Sequence, residues 1–110
     1  MFKINPNPTF TLSVRLTVAG DPAGQLLELS CRHKSRPALK AWVEGASVEQ
    51  ADAVFLGEVV EGWSGVVDAD GQALPFTPEN FAALLDNYPP AGIEIYTAYQ
   101  KELSESRAKN

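Results

Sequence analysis

Phe10, Leu12, Val14, Leu16 and Val18 alternate strictly with Thr11, Ser13, Arg15 and Thr17, and this pattern restricts the fold more than any other stretch. A period of two puts one set on each face of a β-strand, one buried and one wet. Gly20-Asp21-Pro22-Ala23-Gly24 has turn composition. Beyond it Leu27, Leu29 and Cys31 alternate with Glu28, Ser30 and Arg32. The two runs predict an antiparallel hairpin whose loop spans residues 20–24 or slightly more. Residues 1–8, with Pro6 and Pro8, are expected to be an extended lead-in.

Helical spacing follows. Pro37 suits a first turn, Leu39, Trp42 and Val43 fall at i, i+3, i+4, and Gly45 is a stop. Ser47 with Gln50 has capping-box form. Ala51, Val54, Phe55 and Val59 then predict a second, central helix that ends at Gly62 and packs over the sheet. Trp63 to Val67 is β-prone, Asp68-Ala69-Asp70-Gly71 is a turn, and Gln72 to Phe76 is a short return arm. Thr77-Pro78-Glu79 combines a cap hydroxyl, a first-turn proline and an acid near the positive end of the helix dipole. That helix carries Phe81, Leu84 and Leu85 inward and stops at Pro89-Pro90. A last helix from about Ile93 is expected to bury Ile93, Tyr96 and Leu103, with Ala98 and Tyr99 beside them, and residues 104–110 to fray. The fold class expected is therefore α+β: an N-terminal antiparallel hairpin or small sheet with about four α-helices packed on it.

At 110 residues the chain is expected to form a single domain that folds without staples. Its net charge of −5 disfavours nucleic acid, whose phosphates need clustered Lys and Arg. Cys31 is the only cysteine, so no intrachain disulfide, thiol zinc site or CxxC pair can form. The start MFKINPNPTF lacks the apolar core of a secretory signal, and no run reaches the ~18 apolar residues of a membrane span. A reducing cytoplasm, without membrane attachment, is the expected location.

Few residues invite a chemical reading, and each has a plainer one. Asp68, Asp70 and Gly71 match part of a calcium loop, but Val66 and Thr77 stand where the first ligand and the bidentate acid belong; Asp-Gly is also a favoured hairpin turn. Cys31 and His33 share a strand face and could begin a nucleophile–base pair, yet Cys31 continues the inward row of Leu27 and Leu29. Arg32, His33, Lys34, Arg36 and Lys40 form a basic cluster with no interleaved aromatics to stack bases. Glu44, Glu49, Asp52, Glu58 and Glu61 read as the wet face of a helix before they read as paired catalytic acids. No GxSxG, HExxH, GxGxxG or Walker motif occurs. No enzyme and no cofactor is expected.

The aromatic residues Trp42, Trp63, Phe76, Phe81, Tyr88, Tyr96 and Tyr99 can fill a core or line a groove for a partner's helix. Their order carries a resemblance. Gly62-Trp63-Ser64-Gly65-Val66, Asp68-Ala69-Asp70-Gly71, Pro75-Phe76-Thr77-Pro78-Glu79-Asn80-Phe81, Leu84-Leu85, Tyr88-Pro89 and Ile93…Ala98-Tyr99 resemble the phage tail assembly chaperone family, particularly the branch of siphophages and related prophages. The likeness extends over about residues 8–104. It implies a protein that binds the tape measure protein, keeps its apolar helices from aggregating, and yields to tail tube subunits. It further implies that tube protein is recruited by a longer frameshifted form, that no nucleotide is used, and that mature virions lack the chaperone. Trp63, Phe76, Tyr96 and Tyr99 are the expected partner-binding residues, with Phe55 and Phe81 in the core. Self-association is left open. Two rival classes are a structural tail completion or connector subunit and a small enzyme using Cys31 and His33.

Overall fold

The computed structural model describes residues 1–105. Its elements are β1 (Thr9–Val18), β2 (Asp21–Arg32), α1 (Arg36–Glu44), α2 (Asp52–Leu56), β3 (Val60–Ser64), α3 (Pro78–Asn87) and α4 (Ala91–Glu105). The strands form an antiparallel sheet in the order β1-β2-β3, and with the helices they make the α+β fold that the sequence predicts.

Leu12 lies opposite Leu29 and Val14 opposite Leu27, so the apolar rows of both arms share one face. Leu12, Val14, Leu16, Leu27, Leu29 and Cys31 are buried, while Thr11, Ser13, Arg15 and Glu28 are exposed. The connection is tighter than the predicted loop. Pairing runs out to Val18 opposite Asp21, leaving Ala19-Gly20 between them, with Gly20 at φ +84°. Pro22 to Gly24 belong to β2, and the register slips between Leu16 and Val18. Gly24 makes that slip possible: its φ is +65°, and a Cβ there would sit 2.5 Å from the Leu16 carbonyl oxygen.

The predicted long second helix does not form. Helical structure is confined to Asp52–Leu56, and the chain then enters β3. Gly57 marks the change, closing the helix with its N–H on the Ala53 carbonyl, while the Glu58 N–H donates to the Phe55 carbonyl. Val59, read as part of a helical stripe, and its neighbour Val60 are fully buried at the start of the third strand. There Val60 pairs with Cys31, Gly62 with Ser30 and Trp63 with Leu29. Ser47 caps a turn instead of a long helix, its hydroxyl accepting from the Glu49 N–H. The central element is therefore β2, and α4 is the helix that packs against β1.

The other helix starts form as read. Ser35 caps α1 by accepting from the Ala38 N–H, and Thr77 caps α3 by accepting from the Asn80 N–H at 3.0 Å. After Pro89-Pro90, α4 begins at Ala91, two residues before the predicted start. Its inward stripe is Ala91, Ile95, Tyr99 and Leu103, one residue per turn. Ile93, expected inside, stands roughly 200° round the helix from Ala91 and is 64% exposed. Ser104 and Glu105, assigned to a fraying tail, continue α4, and residues 106–110 of that tail lie outside the described residues. The short return arm survives as a bridge between Val67 and Ala73, with the Leu74 N–H donating to the Val66 carbonyl.

Candidate functional site

The aromatic side chains separate into two clusters. In the first, Trp42 stacks flat on Phe55 at 4.3 Å and donates its indole N–H to the Phe55 carbonyl. Tyr96 tilts against both rings, Tyr99 meets Trp42 edge-on at 5.6 Å, and Phe10 stacks on Tyr99. In the second, Trp63, Phe76 and Phe81 form a triangle, with Trp63 edge-on to Phe76 at 5.0 Å. The indole N–H of Trp63 donates to the Leu74 carbonyl at 2.8 Å. β3 positions Trp63, the turn before α3 positions Phe76, and Phe81 belongs to the first turns of α3.

The four residues expected to meet a partner are thus not one patch. Trp63 and Phe76 are half-buried together, Tyr96 is half-buried in the other cluster, and Tyr99 is fully enclosed. The Tyr99 hydroxyl is used internally, donating to the Arg32 carbonyl. Phe81 is buried in the core, whereas Phe55 is only partly covered and borders two surface depressions.

Trp63 forms part of the floor of a groove of about 340 Å³ between the strand ends, the 65–74 turn region and α3. Its walls include Leu26, Val66, Val67, Leu84 and Tyr88, and among the described residues no Asp, Glu, Lys or Arg lines it. Leu26, Val67 and Tyr88 are 57%, 54% and 37% exposed, so among the described residues no element covers this apolar surface. Phe76 borders a second depression, of about 640 Å³, with Val54, Val60 and Phe81. That rim is charged: Arg32, Glu58, Glu61 and Glu79 all reach it. The sequence reading missed Leu26 and Val67. Both carry a signal in hindsight, since Leu26-Leu27 and Val66-Val67 are consecutive apolar pairs where one member must face outward.

Several of the remaining candidates do structural work. Asp68 accepts from the N–H groups of Asp70 and Gln72, closing its turn, and Gly71 sits at φ +79°. Among the described residues no group of His, Cys, Asp and Glu is placed to hold a metal. Burial, reinforced by the negative charge of Glu61, pushes the Cys31 thiol up to about 12. A thiol so held stays protonated at neutral pH, the reverse of an activated nucleophile. In the basic cluster Arg32 bonds the carbonyls of Gly57 and Glu58 and pairs with Glu61, and Lys34 pairs with Glu58. Among the described residues no helix is long and apolar enough to cross a membrane.

A small α+β fold with an exposed apolar groove has the form of a binding module. The comparison with known families agrees. The whole chain, residues 1–110, matches the phage tail assembly chaperone family, and it belongs to that family. Neither the curated proteins nor the solved structures contain a match.

Proposed function

We propose that this chaperone binds apolar helical segments of the tape measure protein, keeps that protein in solution, and is displaced by tail tube subunits as they polymerise. Family membership supports a tail protein as partner. The observation that carries the reading further is the groove floored by Trp63, which exposes Leu26, Val67 and Tyr88 and, among the described residues, has no charged residue in its lining. A groove of that kind accepts the apolar stripe of a helix, since burying each large aliphatic side chain yields about 1.5–3 kcal/mol.

Release needs no nucleotide in this scheme. Tube subunits that bind the same segments of the tape measure protein shift the equilibrium by mass action. Contact with tube protein is proposed to run through a longer frameshifted form. Action in the cytoplasm of the bacterial host, before the virion is complete, follows from that role.

Co-expression with the tape measure protein of the same phage or prophage tests the proposal. The expected result is a soluble complex, with the partner insoluble when made alone. A partner equally soluble with and without the chaperone, and no complex on size exclusion, would refute it and favour a structural tail subunit.

A further inference from the structure

Among the described residues, nothing bonds the outward backbone groups of β1 at Thr11, Ser13 and Arg15. The Arg32 N–H donates to the Val59 carbonyl, so even-numbered residues at this end of β2 turn their backbone toward β3. Odd-numbered residues of β2 therefore face β1, where Phe10, Leu12 and Val14 lie opposite Cys31, Leu29 and Leu27. The N–H and C=O groups of Thr11, Ser13 and Arg15 consequently point away from the sheet. At Thr17 the outward N–H is already taken, donating to the Glu94 carboxylate at 3.0 Å.

Edge strands are usually blunted by shortness, proline, a bulge, a charge aimed outward, or a helix or loop laid over them. Thr9 to Leu16 has none of the first three, since the register slip comes only after Leu16. Its one charge is turned aside, the Arg15 guanidinium donating to the Ala23 carbonyl of its own hairpin.

Beside this edge runs α4. Glu94 is bonded to Thr17 at one end of β1 and Tyr99 is stacked on Phe10 at the other, so helix and strand are antiparallel. A shallow groove between them is lined by Ser13 and Arg15 on the strand and by Ile93, Glu94, Thr97 and Lys101 on the helix. The helical stripe is acidic at its start and basic at its end, and Ile93 is largely exposed beside it.

We infer that β1 pairs antiparallel with β1 of a second copy of this chain, about a two-fold axis at Ser13. Ser13 then opposes Ser13, Thr11 opposes Arg15 of the second copy, and no like charges meet on the strands. The same axis lays the two α4 helices antiparallel, bringing Glu94 of each copy toward Lys101 of the other. An arrangement complementary to itself under a two-fold rotation is what a closed dimer requires. The product is a continuous sheet built from both copies, which leaves the groove at Trp63 outside the interface.

Sedimentation of the purified chain over a concentration series tests this, with two variants. The wild type is expected to reach twice the mass of the 11.9 kDa chain. Ser13→Pro removes an outward N–H without touching the bonds to β2, so it should hold the chain monomeric with an unchanged circular dichroism spectrum. Ser13→Cys should give a disulfide-linked dimer on oxidation, since the axis sets the two positions side by side. A chain that is monomeric at every concentration overturns the inference. So does a dimer that dissociates no more readily as Ser13→Pro and does not cross-link as Ser13→Cys.

Discussion

Tyr99 on α4 donates a 2.6 Å hydrogen bond to the main-chain carbonyl of Arg32, 67 positions earlier at the end of β2. Its ring also stacks on Phe10 of β1 and meets Trp42 of α1 edge-on. One side chain thus joins the last helix to both arms of the hairpin and to the first helix.

Tyr99→Phe should keep the fold and cost about 1 kcal/mol, the usual net worth of one hydrogen bond. For a chain of this size that lowers the melting temperature by about 4–8 °C. Tyr99→Ala also removes the ring, at a cost of about 3–5 kcal/mol, a large part of the total stability of a small protein. Thermal melts followed by circular dichroism separate the two. Equal melting temperatures for Tyr99→Ala and the wild type would place this residue outside the core.

Stability should fall on the alkaline side. Burial raises the Cys31 thiol from its ordinary 9.0 to about 12, with Glu61 adding to the shift. Burial likewise raises the Tyr99 phenol from 10.0 to about 12, with Cys31 contributing. Both groups bind their protons more tightly when folded, so the unfolded chain loses protons first as pH rises. Their contribution is complete below pH 9 and disappears between 9 and 12. Urea midpoints measured through that range should decline, and Cys31→Ala should remove the part of the decline that begins near 9. A midpoint that rises with alkalinity would contradict the burial of both groups.

Glycine substitutions should rank by geometry. Gly20→Ala meets no neighbour and suffers only its positive φ, a strain of about 1–2 kcal/mol. Gly24→Ala suffers the same and also drives a Cβ against the Leu16 carbonyl, so it should be the more damaging. Chemical denaturation of both variants gives the order directly.

The hairpin was readable because its alternation is local, and the starts of α1 and α3 because caps and prolines are local too. β3 was not. Ala51, Val54, Phe55 and Val59 fit a helical period, and only pairing with the open edge of β2 turns Val60 to Ser64 into a strand. The glycine at position 57, inside the supposed helix, was the one warning. The binding surface was legible in part. Aromatic content pointed to Trp63 and Phe76, but sequence could not sort Tyr99 into the core or show that Leu26 and Val67 stand at one groove.

Binding of the tape measure protein to groove variants bears most directly on the proposed function. Leu26→Glu combined with Val67→Glu puts two carboxylates into the uncharged groove, while Val54→Glu alters the separate depression beside Phe76. Quantitative pull-down should show the double variant losing about tenfold or more in affinity, a change of ~1.4 kcal/mol or greater. Val54→Glu should bind as the wild type does, with both variants folded by circular dichroism. Full retention of partner by the double variant would contradict the account and move the binding surface elsewhere.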